Sequence, residues 1–253
     1  MRPASPRSAL IGQTPQQRWD QKIDLAVSLL ALFSWSNEDT ILSLLRVRAR
    51  GICRRLERAG LIRAVEVPSS KTFAWALTAA GVRRAEHALG RQVRYLSHPG
   101  RLSLARFAHE LAVQRETILR LPTDLPSLRL MKADRELQRV PAAIRPDLVV
   151  RNVDDQGVKS LVCLEVEVSS KGDRELRAKL RAIRDVLTPQ VSWRWYLCEG
   201  EAPCARYAKV WREVVEEATS GPCGAPAWLL DACRFEVARG TGSRRPWPSA
   251  VSL

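Results

Sequence analysis

The chain has 253 residues, of which 45% are hydrophobic and 27% charged, a composition that excludes a disordered or fibrous protein and leaves room for one large domain or two ordinary ones. Its formal charge of +14 is unevenly spread: residues 1–101 hold 17 Lys/Arg against 7 Asp/Glu, whereas the remainder holds 24 against 20. That excess in the first part of the chain favours a nucleic-acid partner over an anionic membrane surface.

Residues 1–16 are rich in Pro, Ser and Arg without apolar period and are expected to form a flexible arm. Leu25, Leu29, Leu32 and Phe33 then follow helical spacing over about 19–34. The apolar run 25–33 within this helix is too short to span a bilayer, so no membrane insertion is expected. Asn37 before Glu38 and Asp39 has the form of an N-cap followed by acids in the first turn, opening a second helix with Ile41, Leu44 and Leu45. After a connection at Arg46, Val47 and Arg48 comes a third helix, with Ile52 and Leu56 inward and Arg50, Arg54, Arg55 and Arg58 on its other faces. It stops at Ala59-Gly60. Two alternating runs, 61–67 and 72–77, flank a Pro-Ser-Ser-Lys turn and predict a β-hairpin, and Thr78 caps a further helix through Ala88.

Residues 91–101 mix Gly, Pro, His and Ser and read as a linker. A long helix is expected over 103–121, ended by Pro122 and Pro126, and a strand over 128–137. The stretch 144–171 carries two β-branched runs around a Gly-containing turn, which predicts a second hairpin. Side chains alternate along a strand, so Glu165 and Glu167 share the face opposite Val162, Leu164 and Val166. Asp147 can reach the same face, and so can Lys171 if the strand extends that far. Carboxylates gathered in this way repel one another unless a cation or a substrate compensates, which marks a candidate site. A basic amphipathic helix over 173–187, a Trp-rich strand over 191–198, a helix over 205–218 and a last strand over 227–237 complete the pattern, and the tail from 239 has no evident core role. Six cysteines without a CxxC pair, far in sequence from three histidines, argue against zinc and for a reduced, cytoplasmic setting.

The order of three helices and a hairpin, with the arginine-laden phrase at 44–62, resembles the winged helix-turn-helix superfamily. That resemblance implies double-stranded DNA as partner, contacted by Arg46, Arg48, Arg50, Arg54, Arg55 and Arg58 and, on the wing, by Lys71. Pro146-Asp147 on one strand and Glu165-Val-Glu167 on the next resemble the PD-(D/E)XK nuclease superfamily. This likeness implies Mg²⁺ or Mn²⁺ held by Asp147 and Glu165, with Glu110 from the preceding helix as a third ligand. Glu167 stands where that family has lysine, so the catalytic set Asp147, Glu165, Glu167 and Lys171 would need Lys171 to supply the amine. With the helix phrase at 106–115, the chain resembles the replication-relaxation proteins of plasmids and mobile elements, including MobC-like mobilisation proteins.

The expectation is therefore an α/β (α+β) chain with a winged helix at 17–90 and a restriction-endonuclease-like domain at 102–238, whose central mixed sheet is flanked by helices. Its leading function is that of a DNA-binding accessory protein with relaxase or other relaxosome partners. The alternatives are an active Mg-dependent endonuclease and a transcriptional regulator, and the sequence leaves a homodimer open.

Overall fold

A computed structural model describes residues 13–48, 50–67, 73–95, 104–153, 157–219 and 226–238. The described residues form a mixed α+β fold with two sheets.

Helix α1 (Pro15–Phe33) lies at the centre of the first half. Thr14 begins it with a reciprocal capping box: its hydroxyl accepts from the Gln17 N–H while the Gln17 side chain accepts from the Thr14 N–H. The helix starts earlier than the apolar pattern suggests because Thr14 and Pro15 supply a start signal inside what reads as a polar arm. Its last turns are buried on every side, Ala26 and Val27 through Phe33, because α2 (Glu38–Leu45), α4 (Ala79–Leu89) and α6 (Leu125–Arg129) all pack against it. Asn37 caps α2 by accepting from the Thr40 N–H at 2.9 Å. Helix α3 (Ile52–Arg58) begins only after Gly51, whose φ of 97° breaks the helical path, so Arg50 precedes the helix instead of lying on it.

Strands β1 (Trp35–Ser36), β2 (Ile62–Glu66) and β3 (Phe73–Leu77) form a small antiparallel sheet in the order β1-β3-β2. Thr78 closes this unit twice, capping α4 through the Gly81 N–H at 3.1 Å and donating its hydroxyl to the Gly60 carbonyl at 2.5 Å.

The second sheet runs β4 (Met131–Ala133), β5 (Leu148–Val153), β6 (Lys159–Glu167), β7 (Val191–Leu197) and β8 (Cys233–Val237) in sequence order. β4, β5 and β6 pair antiparallel, and β6, β7 and β8 pair parallel, with α7 (Asp173–Arg184) and α8 (Glu201–Thr219) in the two crossovers. Side-chain alternation divides the sheet cleanly. Leu148, Leu164, Val166 and Tyr196 face the core shared with α1 and with α5 (Leu104–Arg120). Cys163, Trp193, Trp195 and Leu197 face α7 and α8, where Leu176, Leu180, Tyr207 and Trp211 close a second core. The first core is continuous from α1 and α2 to the sheet.

Two strand expectations are corrected. The stretch 128–137 holds helix α6, the three-residue β4 and a 3₁₀ turn (Asp134–Leu137), because Asp124 accepts from the Ser127 N–H at 2.8 Å and Pro126 sits in the first turn, a helix-start signal. The last strand is preceded by a one-turn helix, α9 (Trp228–Asp231). Helix α8 also begins at Glu201, ahead of the expected 205. Described residues Arg91–Tyr95 of the expected linker are anchored: Arg91 pairs with Glu136 and donates to the Met131 carbonyl at 2.7 Å, and the Tyr95 hydroxyl donates to the Ser34 carbonyl at 2.9 Å. The expected tail lies outside the described residues, as does most of the arm.

Candidate functional site

The acidic face of β6 is real, and it is buried. Glu165 is 6% exposed and Glu167 is 9% exposed, both on the side of the strand that meets α7 and α8. Asp147 lies one step beyond the Leu148–Leu164 pair, across from Glu165 in the ladder register. Burying three carboxylates close together is costly unless each is compensated. The fold compensates them one by one.

Glu165 forms an ion pair with Lys179 of α7, whose ammonium also lies 5.1 Å from the centre of the Trp195 ring. Glu167 pairs with Lys171 in the connection after β6. Lys171 is fixed there by its backbone, since its N–H donates to the Tyr207 hydroxyl at 2.9 Å and its carbonyl accepts from Arg206 at 2.5 Å. Asp147 accepts from the Val166 N–H at 2.8 Å, and the same oxygen lies 3.5 Å from Nε2 of His109, a residue of α5. That His109 nitrogen is also 3.1 Å from the Val166 carbonyl oxygen. Glu110, the next residue on α5, accepts from Arg106 at 3.3 Å. Together with the end of α1, Arg106, His109, Glu110, Arg145 and Asp147 line an open cleft of about 350 Å³.

The proton affinities follow from this geometry. Burial is the largest influence on Glu165, and with the Asp147 charge it raises the carboxyl to about 7 against the pull of Lys179. For His109, burial works toward the neutral ring, but the hydrogen bond and charge of Asp147, with smaller help from the Val166 carbonyl and Glu165, win and raise it to about 9. His109 is therefore an imidazolium at neutral pH, facing Asp147.

A divalent cation here would need oxygen donors converging on one point. Among the described residues, no group of three His, Cys, Asp or Glu side chains stands close enough to hold a metal ion. The reason lies in the pairing: the four acids Asp147, Glu165, Glu167 and Glu110 face His109, Lys179, Lys171 and Arg106 respectively. Mg²⁺ at Asp147 and Glu165 would have to compete with His109 and Lys179 for these carboxylates. Among the described residues, Oε2 of Glu165 is buried without a hydrogen-bond partner, but it belongs to a carboxylate already paired through its other oxygen.

Among the residues singled out from sequence, the fold brings Asp147, Glu165, Glu167 and Lys171 into one neighbourhood. Lys171 arrives differently from the expectation: β6 ends at Glu167, and the lysine turns back to that residue from the following loop. Glu110 contacts Arg106 on its own helix. His109 and Lys179 also join the site; from sequence His109 reads as a helix-surface residue and Lys179 as a candidate phosphate contact beyond the site. Lys179 was legible, because Leu176, Lys179, Leu180 and Ile183 follow the i, i+3, i+4, i+7 stripe that faces the core. His109 carried no comparable signal.

The basic surface is separate. Arg46, Arg48, Arg50, Arg54, Arg55 and Arg58 are all exposed, in the connection from α2 and on α3. Among the described residues, acids meet only part of them: Arg50 lies 3.6 Å from Asp39 and Arg54 2.8 Å from Glu57, both at the surface. Arg55 lies over the Trp19 ring at 4.1 Å, which holds its guanidinium in a fixed orientation. Lys71 lies outside the described residues.

No known protein family, curated protein or solved structure matches this chain. No described helix is long and apolar enough to cross a membrane.

Proposed function

We propose that the chain is a double-stranded-DNA-binding protein whose N-terminal unit works as a winged helix and whose second sheet is a nuclease-like domain that does not hydrolyse DNA. The observation that carries this reading is the exposed arginine set on α3 and the connection before it, on a helical unit whose excess charge is positive. The order α1, β1, α2, α3, β2, β3 with an antiparallel β1-β3-β2 sheet supports it, since a winged helix presents its third helix to the major groove and its hairpin to the backbone. Arginines dominate because the guanidinium serves both phosphate oxygens and the guanine edge. For the second sheet, the pairing of every site acid with a side-chain cation supports a structural role over phosphodiester hydrolysis. The resemblance of the sequence to replication-relaxation proteins suggests the setting, an accessory role in plasmid or mobile-element DNA processing alongside a relaxase.

The test incubates full-length protein with supercoiled plasmid and Mg²⁺ or Mn²⁺, beside an Asp147→Ala variant, and follows band shift and nicking on the same samples. Band shift without nicking is the expected result. Nicking by the natural protein that disappears in Asp147→Ala would replace this reading with that of an endonuclease.

A further inference from the structure

The face of the second sheet that meets α7 and α8 is covered over only part of its width. Those two helices pack on β6, β7 and β8, while the outer strands β4 and β5 end beside a groove of about 570 Å³. Three of the large apolar side chains that the described fold leaves exposed gather there: Leu130 (42%), Leu161 (38%) and Val186 (47%). Helices normally cover both faces of such a sheet, so the gap has the form of a missing layer. Its lining is charged with one sign only. Arg91, Arg129, Lys132 and Arg151 contribute four cations and no acidic residue takes part. Arg91 and Arg129 also serve Glu136 and the Ala88 carbonyl, whereas Lys132 and Arg151 stand in solvent. Trp193 forms part of the wall at 3% exposure, and among the described residues its buried indole N–H, like those of Trp35 and Trp195, has no acceptor.

We infer that this groove is a docking site for an acidic amphipathic helix of a partner protein, laid beside α7 on the bare end of the sheet. Charge decides the class of occupant. Aliphatic side chains of the helix would cover Leu130, Leu161 and Val186, and its carboxylates would meet Lys132 and Arg151. The groove is aliphatic apart from Trp193, which suits side chains better than stacked bases, since bases bind on exposed aromatic rings. A second copy of this chain would have to bring a free acidic helix face. Of the acids near the end of α8, Glu213 and Glu217 pair with Arg177 and Arg181, and Glu216 also has an interaction within the fold. This inference goes beyond the DNA reading and does not depend on it.

The probe is a labelled synthetic helix of about 18 residues, five turns, with Leu on one face and Glu on the other, followed by fluorescence anisotropy against full-length protein. Controls are the same peptide with Lys in place of Glu and a polyglutamate of equal charge. The Glu-bearing helix is expected to bind and both controls to fail. Leu161→Asp, Val186→Asp and the double variant Lys132→Glu/Arg151→Glu should each weaken binding at least about tenfold. Their melting temperatures should not move, because all four side chains are at the surface. Failure of the Glu peptide to bind, or equal binding by the variants or by the Lys peptide, would overturn the inference. So would self-association lost in Val186→Asp, which assigns the groove to a second copy, and so would displacement of the peptide by an oligothymidylate, which assigns it to nucleic acid.

Discussion

Replacing Lys179 with Met keeps the apolar stem of the side chain and removes the ammonium, leaving Glu165 buried beside Asp147. In the natural protein Glu165 is raised from its ordinary 4.5 to about 7, chiefly by burial. An acid raised by folding binds its proton more tightly in the folded state, so its contribution to stability is fullest below about pH 4.5. That contribution falls as pH rises from there through about 7. Without Lys179 the carboxyl is pushed higher still. At about pH 5 it is protonated in both proteins, and the variant should lose about 1 kcal/mol, the worth of one hydrogen bond. At about pH 8 it must hold a proton above its range or stay charged and unpaired, and the loss should reach about 3–5 kcal/mol, as for a broken buried ion pair. Urea denaturation at the two pH values measures both losses. A double variant, Lys179→Met with Glu165→Gln, should recover most of the loss at the higher pH. A loss of equal size at both pH values, or none, would refute the claim that Lys179 compensates Glu165.

The Asp147→Ala substitution should lower the His109 ring from about 9, because burial then acts against only the Val166 carbonyl and Glu165; a proton NMR titration of the ring reads this directly. The stability that His109 lends is present below about 6.5 and lost as pH rises through about 9, so in the variant this alkaline loss should shrink in melting curves. Gly81→Ala places a Cβ 2.0 Å from the Leu61 carbonyl oxygen, which already accepts the Thr78 N–H at 3.0 Å. Backbone must move, and thermal denaturation should show a loss of about 1–3 kcal/mol.

How much the sequence disclosed depended on whether the signal was local. Asn37, Thr78 and the two hairpins announce themselves within a few residues, and the structure has them where caps and alternation require. Alternation also placed Glu165 and Glu167 on one face. It could not say that this face is buried under α7, because burial depends on a helix that follows in sequence and folds back. The partners of the acids come from three different segments: α5, the loop at Lys171 and α7. Only the Lys179 stripe left a trace in one-dimensional spacing. The strand expected over 128–137 is real only at Met131–Ala133, because the Asp124 and Pro126 start signal turns the residues before it into a helix. Arg50 was assigned to a helix by proximity to other arginines, and the positive φ of Gly51 sets it apart.

Nucleic-acid recognition by the exposed arginines is the central claim, and the salt dependence of duplex binding tests it most directly. Anisotropy titrations over a series of salt concentrations should give a steep fall in affinity, with a log–log slope of about −0.9 for each phosphate neutralised. Replacing Arg48, Arg50, Arg54 and Arg58 by Ala should flatten that slope by about one unit per lost phosphate contact and weaken binding across sequences. Binding that ignores salt, or an unchanged slope in the quadruple variant, would contradict the account.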